Sequence, residues 1–224
     1  MGGLSCGEGP ELETRFLLVR HGETDWNKQQ RLQGQLDVPL NDEGRRQAEE
    51  IGQWFRSVAV DRVISSPLSR ATQTASAILA GHPHVTLETD PGFQEFNLGK
   101  LQGMYLQDPE CRKMCVEREG RLANGEDAHY PEGENDADVV ARATAGLQRA
   151  AKGGTIVVVA HGGTIRAVVK SVYSREGWST ATLPAAKNCS VTELVWRPGV
   201  GACVVDESKL FQALIQAEGS IRVM

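Results

Sequence analysis

The chain has 224 residues, 40% of them hydrophobic and 24% charged, with a formal net charge of −5. That length can bury a core without disulfide or metal staples and suits one domain carrying one insertion. The acidic balance argues against a nucleic-acid binder, whose phosphate contacts need a basic surplus, and no apolar run approaches the ~18 residues of a membrane span.

In chain order, the start Met1-Gly2 lacks the basic segment and apolar core of a signal peptide. A myristoylation start normally has Ser or Thr where Cys6 stands. Residues 1–13 therefore read as a disordered tail, with lipidation as the weaker alternative, and residues 14–224 as one domain with an insertion at about 100–133. The five cysteines, Cys6, Cys111, Cys115, Cys189 and Cys203, are odd in number and form no C-x-x-C. Reduced thiols in a cytoplasmic protein are expected, with Cys111 and Cys115 on one face of a helix and too few ligands for zinc. The chain does not disclose its oligomeric state.

Residues 15–20 (RFLLVR) read as a short buried strand, and residues 42–58 as a helix. Asn41 is its cap, Asp42 and Glu43 suit its dipole, and Ala48, Ile51, Trp54, Phe55 and Val58 recur at helical spacing. A second strand is expected over 61–65. A helix is then expected to open at Ser66-Pro67, with Ser as cap and Pro in the first turn. A short strand near 85–88 precedes an irregular stretch, 89–133, with a helix near 109–119; its length suggests a lid-like insertion. A helix at 135–151, a strand at 155–160 (TIVVVA), a helix at 163–173, strands at 190–197 and 202–206 joined by Pro198-Gly199, and a last helix to about 217 complete the chain. Strands alternating with helices imply an α/β fold: a three-layer α/β/α sandwich around a mostly parallel sheet, with an antiparallel pair at its end.

Three of these strands run into chemistry. The first ends in Arg20-His21-Gly22, the second in Ser66-Pro67 and then Arg70, and the fourth in His161-Gly162-Gly163. Ligands of open α/β sheets sit in the crevice beyond the carboxyl ends of the strands, so two histidines and two arginines are expected together there. Two helices also start at that place, and their free N–H groups favour an anion. Guanidinium forks match phosphate oxygens, and a neutral imidazole whose other nitrogen is held by a backbone acceptor is a nucleophile toward phosphorus. No Walker motif or aspartate cluster suggests magnesium, so no metal and no cofactor is expected; the arginines would take the cation's place.

The run Arg20-His21-Gly22-Glu23-Thr24-Asp25-Trp26-Asn27 resembles the signature of the histidine phosphatase superfamily, the phosphoglycerate-mutase-like group. Arg31-Leu32-Gln33-Gly34, Asp37-Val38-Pro39-Leu40, Ser65-Ser66-Pro67-Leu68-Ser69-Arg70-Ala71, Pro131-Glu132-Gly133-Glu134 and Ala160-His161-Gly162-Gly163-Thr164-Ile165-Arg166 extend the resemblance over roughly residues 15–195. It implies that His21 becomes phosphohistidine and that Arg20, Arg70 and His161 line the phosphate pocket. It also implies that Asn27 reaches a phosphate oxygen and that the N–H of Gly162 is a further donor. Gln33 and Gly34 stand as candidate substrate contacts. Glu95, followed by Gly99 and Gly103, fits the general acid, with Glu88 and Asp90 as nearby alternatives; an acid that must start protonated puts the pH optimum below neutral. Glu23 and Arg166 read as bracing residues, Tyr105 and Tyr130 as insertion residues able to meet substrate, and His82, His84 and His129 as surface residues. The acidic stretch 126–138 reads as a solvated loop.

Glu95 is followed by Phe96-Asn97-Leu98 and not by the Arg-His-Tyr of mutases, which favours a phosphomonoesterase. Leu101-Gln102-Gly103 is more mutase-like, so a cofactor-dependent phosphoglycerate mutase is the alternative. The non-enzyme alternative is a phosphate-binding scaffold domain. The segment 104–130 balances Arg112, Lys113, Arg118 and Arg121 against Asp108, Glu110, Glu117, Glu119, Glu126 and Asp127. That balance points to a small, singly phosphorylated metabolite as the partner.

Overall fold

In the computed structural model the described residues are 12–126, 128–178, 180, 183, 186–204, 214–217 and 220–223. In chain order the elements are β1 (Thr14–Arg20), α1 (Asp25–Lys28), α2 (Asp42–Phe55), β2 (Arg62–Ser65), α3 (Ser69–Leu79), β3 (Leu87–Thr89), α4 (Pro109–Ala123), α5 (Asp136–Ala150), β4 (Gly154–Ala160), α6 (Gly162–Arg175), β5 (Val191–Arg197), β6 (Gly201–Val204), β7 (Leu214–Ala217) and β8 (Ser220–Val223), with single 3-10 turns at Pro91–Phe93 and Gly99–Leu101.

Six strands form one sheet in the order β3-β2-β4-β1-β5-β6. The first four run parallel, and β5 and β6 are antiparallel, as the Pro198-Gly199 link suggests. The central strands are apolar on both sides because both sides are covered. Phe16, Leu18, Ile156 and Val158 pack with Leu147, Ile165 and Val169 of α5 and α6. Leu17, Val19, Val157 and Val159 pack with Ile51, Phe55, Ala75 and Ile78 of α2 and α3. Each fully buried side chain of this size contributes about 1.5–3 kcal/mol.

Four expectations change. The helix opened at Ser66 starts instead at Ser69, because Asp37 caps it from a neighbouring loop. Its Oδ1 accepts the Ser69 N–H at 2.7 Å and the Ser69 hydroxyl at 2.8 Å. The helix expected through Val58 ends at Phe55, where tighter turns such as Val58 N–H to Phe55 O (2.9 Å) take over. The segment assigned to the end of a last helix is β7, paired antiparallel with β8; the part of that expected helix before residue 214 lies outside the described residues. His82 is not a surface residue. It is buried, and its Nε2–H donates to Phe55 O at 3.1 Å, closing the end of α2.

Candidate active site

β1 and β4 are parallel neighbours, with Arg20 in register with Ala160. The two histidine-bearing turns therefore leave the sheet side by side. The helices that follow, α2 and α6, pack on opposite faces, which opens a crevice at that point. A pocket of about 450 Å³ lies there, and Arg20, His21, Asn27, Gln33, Gly34, Arg70 and Glu95 all line it. Glu88 and Asp90 stand elsewhere, paired with Arg62 and Arg149. His161 and Gly162 are not on the wall. His161 is fully buried behind His21, with ring centroids 5.1 Å apart, and a Cβ on Gly162 would touch the Arg20 side chain at 3.2 Å.

His21 Nδ1 lies 2.7 Å from Gly22 O. A carbonyl only accepts, so Nδ1 carries the proton and Nε2 keeps its lone pair. The His21 backbone is held by its N–H to Ala160 O (3.0 Å) and by the Asn188 Nδ2–H on its carbonyl (2.9 Å). Asn188 was not found from sequence; its only signal is its place just before β5. Burial, with the nearby Arg70 and Arg20, holds the His21 pKa well below the usual 6.5. Burial, then the nearby Arg70, His21 and Arg20, depresses His161 as well.

Arg70, 1% exposed, donates Nη1–H to Leu36 O (2.8 Å), Nη2–H to Gly34 O (2.7 Å) and Nε–H to His161 Nδ1 (3.2 Å). Because Arg70 can only donate, His161 Nδ1 is unprotonated, and its Nε2–H points to Ser66 Oγ at 2.8 Å. His161 thus orients Arg70 in this state, and Ser66 serves the site instead of capping a helix. Burial lowers the Arg70 pKa to about 10, which leaves it charged at neutral pH. Arg20 donates to Ala186 O (2.6 Å), and its Nε is buried without a partner among the described residues. A buried orphan donor calls for an explanation, and a phosphoryl oxygen in the pocket would supply one.

Asn27 ends the capping box of α1. Its Oδ1 accepts from Thr24 N–H at 3.1 Å, which leaves Nδ2 as its free-acting donor. Glu23 braces the same turn by accepting from Asn41 Nδ2–H at 2.9 Å. Glu95 faces the start of α6. Oε2 accepts Gly163 N–H (3.0 Å), and Oε1 accepts Thr164 N–H (3.0 Å) and Phe96 N–H (3.0 Å). A Cβ on Gly163 would lie 2.6 Å from Oε1, so the carboxyl approaches this closely because residue 163 is glycine.

The outer wall corrects the charge reading made from segment 104–130. Arg31, Arg118, Arg166 and Lys170 line it with one carboxylate, Asp136. Arg118 pairs with Asp136 and stacks over Tyr130 at 4.1 Å; Lys170 is 4.0 Å from Asp136. Arg31 stacks on Trp26 at 3.9 Å and on Tyr105 at 5.4 Å, so of the two insertion tyrosines Tyr130 lines the pocket and Tyr105 backs Arg31.

Two neutral buried imidazoles fix the acid limb of stability. Below about pH 6.5 the unfolded chain binds two protons that the folded chain refuses, so stability falls with falling pH by up to about 1.4 kcal/mol per pH unit for each ring. Urea titrations at pH 7, 6 and 5 are expected to show this slope, and His21→Asn to remove about half of it. Equal stability across that range would contradict the burial of neutral rings.

The family model for the histidine phosphatase superfamily (branch 1) matches residues 16–207. Phosphoglycerate mutase-like protein 4 of Arabidopsis thaliana is 38% identical over 186 residues, covering 79% of this chain and 76% of the relative. The uncharacterized phosphatase PhoE of Bacillus subtilis is 35% identical over 190 residues, covering 82% and 92%. Among solved structures, mycobacterial glucosyl-3-phosphoglycerate phosphatase in complex with VO3 has a TM-score of 0.65 at 29% identity, covering 80% and 92%. Bacillus stearothermophilus YhfR has a TM-score of 0.71 at 26% identity, covering 87% and 96%. With its paired histidine turns, its two pocket arginines and a match spanning nearly the whole sheet, the chain belongs to branch 1 of the histidine phosphatase superfamily.

Proposed function

We propose that the protein is a metal-independent phosphomonoesterase that hydrolyses a small phosphorylated metabolite through phosphohistidine at His21. The observation that carries this is the His21 ring: Nδ1–H fixed on Gly22 O, Nε2 unprotonated, at a wall shared with Arg20 and Arg70. The Nε2 lone pair attacks phosphorus, and the ester P–O bond breaks. Protonated Glu95 gives its proton to the departing oxygen, and Arg20 and Arg70 hold the equatorial oxygens. Water then passes a proton to Glu95 and attacks phosphorus, and the P–N electron pair returns to Nε2. The depressed pKa of His21 keeps the nucleophile neutral at acid pH.

The pocket volume suits a small metabolite. Gln33 Oε1, a buried acceptor without a partner among the described residues, would meet a hydroxyl on the leaving group. The test is a rapid quench into alkali of the reaction with a phosphomonoester. Acid-labile phosphate on the His21 peptide is expected, with turnover unaffected by EDTA. Absence of phosphohistidine, or loss of activity with EDTA, would contradict the reading.

The mutase reading rests on Leu101-Gln102-Gly103 and on relatives named as mutases. It requires interconversion of phosphoglycerates that depends on a bisphosphorylated primer; phosphate release without isomerisation decides for the esterase.

A further inference from the structure

The run Pro131-Glu132-Gly133-Glu134 belongs to the resemblance, yet no step above uses it. Glu95 itself sits on a connection with no helix or strand of its own, between the turns at Pro91–Phe93 and Gly99–Leu101. A general acid must stay within hydrogen-bond reach of the leaving oxygen, and a loop does not hold a position unaided.

We propose that Arg142 and Glu134 are positioning residues that lock the Glu95 arm against α5 and so set the acid opposite the nucleophile. This rests on the reading of Glu95 as the acid. Arg142 Nη1 donates to Gly92 O (2.9 Å) and Gln94 O (2.7 Å), and Nη2 donates to Glu95 O (2.9 Å). Nε and Nη2 donate to the two Glu134 oxygens at 2.8 and 3.0 Å. A guanidinium has five N–H groups, and each has a partner here. Three grip the carbonyls leading to Glu95, and two grip a carboxylate that holds the far side of the same arm. There Glu134 Oε2 accepts Asn97 N–H (2.8 Å), and the Glu134 N–H donates to Asn97 O (2.9 Å). Glycines permit the contact: a Cβ on Gly133 would lie 2.3 Å from Asn97 O, and one on Gly99 2.0 Å from Pro131 O. Neither Arg142 nor Glu134 lines the pocket, so neither touches substrate. The backbone of the arm is thereby fixed by α5 and the 131–134 run, and its carboxyl by the start of α6. Glu134 is accordingly a working part of a stretch that reads in sequence as a solvated loop.

The expected signature is a dependence on the leaving group. Nitrophenolate departs with little need of a proton, whereas an alkoxide needs the acid. The measurement is kcat/KM, which covers steps only through P–O cleavage, for p-nitrophenyl phosphate and for β-glycerophosphate. The variants are Glu95→Gln, Arg142→Met and Glu134→Gln, and each is checked for folding by circular dichroism. Glu95→Gln is expected to lose about 10²-fold or more on the alkyl ester and far less on the aryl ester. Arg142→Met and Glu134→Gln are expected to shift the alkyl-to-aryl ratio in the same direction, by about tenfold. Glu134→Gln is nearly isosteric and keeps the test available if Arg142→Met fails to fold. If Glu95→Gln shifts the ratio and neither positioning variant does, the lock is overturned while the acid stands. If Glu95→Gln leaves the ratio unchanged, the acid assignment falls and the lock falls with it.

Discussion

Alanine at position 21 is expected to lower turnover by at least about 10⁴-fold, as loss of a covalent nucleophile does elsewhere, while the chain stays folded. Among the described residues the ring makes one side-chain hydrogen bond, to Gly22 O, and it belongs to none of the three core clusters. Its removal therefore creates a polar hole at the pocket wall and spares the sheet. Neither neighbouring candidate among the described residues, Cys189 or His161, can substitute. Burial pushes the Cys189 thiol up to about 12, and the Nε2–H of His161 is engaged with Ser66. Retention of activity within about tenfold in steady-state assays would remove the phosphohistidine from the account.

Arg70→Lys carries the second large effect, and it acts on both activity and stability. The fork reaches Gly34 O, Leu36 O and His161 Nδ1 at once, and a lysine ammonium, a point donor on a flexible stem, cannot match that fixed fork. Leaving buried acceptors unmet costs about 1–3 kcal/mol. Loss of a preorganised cation from the transferring group is worth about 10²–10³ in kcat. Denaturant titration and steady-state kinetics are expected to show both losses together. A lysine variant with unchanged stability would mean that those three acceptors are satisfied some other way.

The order of strands and helices was legible because each central strand is a short apolar run and two of the main helices carry a capping start, Asn41 for α2 and Asn135 for α5. Arg20, His21 and Arg70 were legible because residues placed after strands collect at the carboxyl edge of a parallel sheet; Glu95 was legible through the family resemblance, by Gly99 and Gly103 after it. What escaped depended on partners distant in sequence. The cap of α3 comes from Asp37, and Asn188 meets His21 across the chain. The cationic outer wall draws Arg118, Arg166 and Lys170 from two helices, so charge counted along one segment could not reveal it. His82 has no neighbouring pattern; only its contact with the end of α2 shows why it is buried.

The β1–β4 ladder joins Thr14 to Gly154 and Arg20 to Ala160, residues 140 apart in the sequence. Pairings of such separation are entropically late events in folding. His21 and Arg70 reach one pocket only once that ladder closes. Catalytic competence during renaturation is therefore a clock for that long-range step, and a chain arrested before it would have its helices and no assembled site.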